Sequence, residues 1–65
     1  MNNTIKLLQR LLKDGKITRQ QFKTYKGQVI HGDEIGCIKG LKRKHLMEDD
    51  EADALILSYK LAYTE

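Results

Sequence analysis

Three side chains in this 65-residue chain could ligate a soft metal or act as nucleophile and base: His31, Cys37 and His45. They lack the paired C-x-x-C or H-x-x-x-H spacing that brings two ligands onto one turn of chain, so no zinc site is expected. Cys37 could attack an electrophile with His31 as its base. A lone Cys beside Ile38 is more simply a small apolar core residue. Glu48, Asp49, Asp50, Glu51 and Asp53 form an acidic cluster. The cluster lacks the Gly and distal Glu of a calcium loop, and acids suit the positive end of a helix dipole. There is no phosphate loop, no G-x-S-x-G turn and no dinucleotide fingerprint. The expectation is therefore no catalytic residue, no metal and no cofactor.

Binding chemistry is better represented. Lys39, Lys42, Arg43 and Lys44 cluster just before His45, and Arg19, Lys23 and Lys26 recur at helical spacing upstream. Together they could present a positive surface to phosphates. Cations near a helix C-terminus are also favoured by the dipole alone. Gly32, Gly36 and Gly40 recur every fourth residue. A helix-interior Gly costs about 1 kcal/mol relative to Ala. Gly36 and Gly40 thus imply close packing inside the monomer, against the first or last helix, or a smooth ridge for a partner. Leu57 and Leu61 fall off the main apolar stripe of the last helix, which suggests burial from two sides.

The elements that must position these residues follow from caps and periodicity. Ile5, Leu8, Leu11 and Leu12 predict a helix from about Thr4 to Asp14. Gly15 can close it in a left-handed conformation. Thr18 can cap the next helix, with Gln21 placed to complete a capping box and Ile17 and Phe22 to staple it. That helix, Arg19 to about His31, buries Phe22, Tyr25, Val29 and Ile30. Gly32 ends it and Asp33 caps a third helix, Glu34 to about Leu46, with Ile35, Ile38, Leu41 and His45 on one stripe. A fourth starts after Asp49 or Asp50 and runs to about Tyr63, with Leu55, Tyr59 and Ala62 aligned. No internal repeat is visible.

The run I-K-L-L-Q-R-L-L-K-D-G-K-I-T-R-Q-Q-F-K-T-Y-K-G-Q-V-I resembles the SHOCT short helical hairpin domain over about residues 5–30. Leu8, Leu11, Gly15, Ile17, Thr18, Gln21, Phe22 and Lys26 occupy that pattern, while Gln20 and Gln21 stand where the family often carries Glu. The resemblance implies two helices meeting at a tight corner, and no catalytic residue. The later run T-Y-K-G-Q-V-I-H-G-D-E-I-G-C-I-K-G-L-K-R-K is similar to small accessory proteins of Gram-positive bacteriophages.

Composition bounds the rest. Residues 1–46 hold eleven Lys or Arg against three acids and residues 47–65 hold one Lys against six, so +8 and −5 give the net +3. A chain this short hides only about 60% of its unfolded surface, so self-association or a partner would help it. One Cys excludes an internal disulfide. Lys6 and Arg10 interrupt any signal-peptide core, and the cytoplasm is the expected location. The chain is expected to be a single all-α domain, a compact bundle of three to four short helices with tight Gly-containing turns. Its expected role is non-enzymatic protein interaction through Gly36, Gly40, Leu57 and Leu61, with homodimerisation at micromolar concentration. The phage resemblance implies a phage-encoded modulator of a host protein. The alternative is nucleic-acid binding through Arg19, Lys23, Lys26, Lys39, Lys42, Arg43 and Lys44; no membrane contact is expected.

Overall fold

A computed structural model describes residues 3–63. Among them are four α-helices and no strand: α1 (Asn3–Lys13), α2 (Arg19–Ile30), α3 (Glu34–Arg43) and α4 (Asp49–Tyr63). They pack into an all-α bundle of 37 × 24 × 19 Å. Leu8, Leu11, Ile17, Tyr25, Val29, Cys37, Ile38, Leu41, Met47 and Ala52 form one buried core, so every helix contributes to it. Contacts run in chain order, α1 on α2, α2 on α3 and α3 on α4. The ends are tied by the Thr4 hydroxyl, hydrogen-bonded to the Tyr59 hydroxyl at 2.7 Å. Thr4 is fully buried there.

The first corner forms as its residues require. Gly15 has φ 73°, a conformation that a Cβ disfavours. The Lys16 N–H donates to the Leu11 carbonyl at 2.9 Å and the Gly15 N–H to Leu12 at 3.1 Å. This is the Schellman pattern, which satisfies carbonyls that the helix end leaves open. Three residues on, the Gln21 N–H donates to the Thr18 hydroxyl and the Thr18 N–H to the Gln21 side chain. Both halves of the capping box are present.

The third corner corrects two expectations. α3 ends at Arg43, not near Leu46, and His45 lies exposed in the turn instead of lining a helical stripe. His45 takes the left-handed conformation, φ 59°. The Leu46 N–H donates to Leu41 at 2.9 Å and the His45 N–H to Lys42 at 3.0 Å. These are the bonds of the first corner moved by thirty residues, from 15 to 45.

The shift extends through the neighbouring elements. Leu8 and Ile38, Leu11 and Leu41, and Ile17 and Met47 are buried pairs in equivalent positions. The Phe22 N–H donates to Thr18 and the Ala52 N–H to Glu48, both at 2.9 Å. The chain is therefore two helical hairpins in tandem, α1–α2 and α3–α4, and the absence of a repeat is corrected at the level of backbone geometry. The corner that joins them uses the same bonds, from Gly32 to Val29 and Asp33 to Gln28, with Gly32 at φ 86°. It is shorter because Asp33 also caps α3, accepting from the Gly36 N–H at 3.1 Å.

Candidate functional site

The four residues named for partner binding fall into two separate places. Leu57 and Leu61 sit on α4, 57% and 67% exposed. Ala52 is buried and Leu55, Ile56 and Tyr59 are half-buried, whereas Ala54, Leu57, Ser58 and Leu61 are exposed. At about 100° per residue, Leu57 and Leu61 lie opposite the core-facing side of the helix, and Ala54 lies about 20° beyond Leu61. The monomer covers one side of α4 and leaves an apolar stripe on the other, so burial from a second side does not come from within the described residues. Ile30 is the remaining large apolar side chain in solvent among the described residues, 65% exposed. It sits at the last position of α2, one step past the core-facing Val29, so its expected burial does not occur.

Gly36 and Gly40 lie elsewhere, on the side of α3 that meets α2. A Cβ on Gly40 would stand 3.3 Å from the Tyr25 ring. A Cβ on Gly36 would fall on the Asp33 carboxylate that caps the helix. Close packing within the monomer therefore accounts for both, but against α2 and the cap, not against α1 or α4. The two glycines floor a groove of about 290 Å³ walled by Gln20, Gln21, Thr24, Tyr25 and Gln28 of α2, with Arg43 and Lys44 at one end.

The basic residues do not form one face. Lys23, Lys26 and Arg19 are exposed, but they occupy the flank of α2 turned about 150° from the glutamine flank that borders α3. Lys26 rests over the Phe22 ring, 5.8 Å from its centroid. Lys42 is engaged by Asp53 of α4 at 2.8 Å. That hydrogen bond, with the charges of Asp53 and Asp49, raises the Lys42 pKa above its ordinary value despite some desolvation. Lys39, Arg43 and Lys44 are exposed. The two basic stripes expected to act together are held apart by the thickness of α2.

Cys37 is fully buried. Burial first, then the charges of Asp33 and Glu34, push its thiol up to about 11. A nucleophilic thiol needs the opposite shift, and His31 is exposed. Among the described residues no three of His, Cys, Asp and Glu converge as a metal set. No described helix is long and apolar enough to cross a membrane.

The α2–α3 groove was missed from sequence. Its signal was present in Gln20, Thr24 and Gln28, an uncharged polar stripe at i, i+4 and i+8 that neither core nor charge explains. No family model, curated protein or solved structure matches the chain.

Proposed function

We propose that this chain is a small non-enzymatic protein-interaction module whose main contact is the outward face of α4. The observation that carries the reading is the stripe Ala54, Leu57 and Leu61, apolar and exposed on the side of the helix away from the core. Such i, i+3, i+7 spacing is what an amphipathic partner helix reads. Exposed large apolar groups in one place mark contact surfaces more often than scattered ones do. The acidic first turn of α4, Asp49, Asp50 and Glu51, would favour a partner with basic residues beside its apolar stripe. A second copy of the chain meets the same need less well, because an antiparallel pair sets each acidic start against the negative-dipole end of the other helix; a heterologous partner is the primary reading. A phage-encoded modulator of a host protein is the biological setting in keeping with the second resemblance.

Nucleic-acid binding is the second reading. It retains Lys39, Arg43 and Lys44 as exposed cations, while Arg19, Lys23 and Lys26 face another way and Lys42 is paired. Capture from a nuclease-treated bacterial lysate, followed by mass spectrometry, separates the two. The expected result is one dominant protein that persists after nuclease. Ribosomal proteins and bulk nucleic acid, lost on nuclease treatment, would favour the second reading instead.

A further inference from the structure

The groove between α2 and α3 contains a donor that the fold does not use. Tyr25 is only 8% exposed, its ring lies against Gly40, and the residue lines the groove. Among the described residues no group hydrogen-bonds its hydroxyl. The ring is buried, while the hydroxyl opens onto the space bordered by Gln20, Gln28 and Arg43. Arg43 is close enough for its charge to favour the ionised hydroxyl, although burial and Cys37 outweigh it and the Tyr25 pKa is raised.

We propose that this groove binds a carboxylate side chain of an extended acidic peptide. The Arg43 guanidinium and the Tyr25 hydroxyl donate to the carboxylate, and the Gln20 and Gln28 amides bond the adjoining peptide backbone. The division of labour follows from the chemistry present. Guanidinium matches a carboxylate with two parallel donors. A primary amide both donates and accepts, as a peptide group requires. Gln21 and Thr24 are already committed, Gln21 to the Thr18 cap and the Thr24 hydroxyl to the Gln20 carbonyl at 3.1 Å. The volume, about 290 Å³, sits at the small end of ligand pockets, about 300 Å³, and suits one side chain with its flanking backbone. A nucleic-acid strand is disfavoured because Tyr25 offers no open face for a base to stack upon and the other cations of α2 lie on its far flank.

The inference rests on the protein-binding reading but uses a surface distinct from the α4 stripe. The test is titration of the 15N-labelled full chain with an N-acetylated peptide alternating glycine and glutamate, followed by amide NMR. Saturable shifts are expected at Gly36, Gly40 and the Gln20 and Gln28 side-chain amides. Arg43→Gln and Tyr25→Phe should each weaken binding about tenfold, the size of one hydrogen bond to a charged group. Phe keeps the ring on Gly40, so the rest of the Tyr25→Phe spectrum should stay in place. Leu57→Asp/Leu61→Asp should bind the peptide as the parent does, which isolates this inference from the fate of the α4 reading. The proposal is overturned by shifts confined to Arg19, Lys23 and Lys26, by unchanged affinity in both groove variants, or by tighter saturation of the groove with oligothymidylate.

Discussion

At the residue scale, backbone conformation and burial decide what each side chain can do. Gly15 and His45 hold the same left-handed place in the two hairpins, φ 73° and 59°. Only the first is occupied by the residue that suits it. A non-Gly residue there costs about 1 kcal/mol or more, so His45→Gly should stabilise the chain by about 1 kcal/mol, raising Tm by about 4–8 °C for a domain of this size. Gly15→Val should lower Tm by more than Lys16→Ala, since a branched side chain is poorly tolerated at positive φ. Calorimetry on the three variants checks both; equal shifts for Gly15→Val and Lys16→Ala would remove the corner's dependence on Gly15. Cys37 gives a chemical readout. Its thiol, buried and pushed up to about 11 from an ordinary 9.0, should resist iodoacetamide at neutral pH until denaturant is added. The sign also fixes a pH trend. The raised pKa contributes stability that is fully present below about pH 9 and is lost as pH rises towards about 11, because the unfolded thiol ionises first. Native-state alkylation as fast as that of the denatured chain would contradict the burial.

At the element scale, the caps show why one hairpin was readable and the other was not. D-G-K-I-T-R-Q-Q-F writes each backbone requirement in a residue chosen for it: Gly for positive φ, Thr and Gln for the box. K-H-L-M-E-D-D-E-A places His45 at the positive-φ position and Glu48 where its carbonyl accepts from the Ala52 N–H. Those residues look like a continuing helix with an acidic sequel, so the sequence reads as a longer α3 and conceals the repeat. The helical periods of α1, α2 and α4 were legible because their apolar faces are spaced by the core they build. The side of α3 on which Gly36 and Gly40 would pack was not legible, since a missing Cβ leaves no mark of which neighbour fills the space. Thr18→Ala removes the side-chain acceptor from the capping box and should cost about 1–2 kcal/mol. Urea denaturation monitored by circular dichroism measures it. A cost near zero would mean that the box seen at the first corner is not a determinant of α2.

At the scale of the whole molecule, two hairpins of a size that would be marginal alone share one core. Leu8, Tyr25, Ile38 and Ala52 bring all four helices into it, and the Thr4–Tyr59 hydrogen bond joins first helix to last. Tyr59→Phe should therefore destabilise the whole fold by about 1 kcal/mol, seen as one cooperative melting transition moved down in temperature. Separate melting of the two hairpins would contradict a shared core. The same economy explains the surface. A bundle this small covers only one side of its terminal helix and leaves Leu57 and Leu61 on the other side exposed. The charge division of the sequence, basic before residue 47 and acidic after it, does not translate into one positive face, because α2 turns its lysines away from α3. The outward face of α4 is proposed to bind protein and to be dispensable for folding. The test is partner capture by the parent chain, by Leu57→Asp/Leu61→Asp and by Lys39→Ala/Lys44→Ala, at equal concentration and with helix content verified. The α4 variant should fold and lose the captured protein while the basic variant keeps it. Capture that survives in the α4 variant and disappears in the basic variant would contradict the proposal.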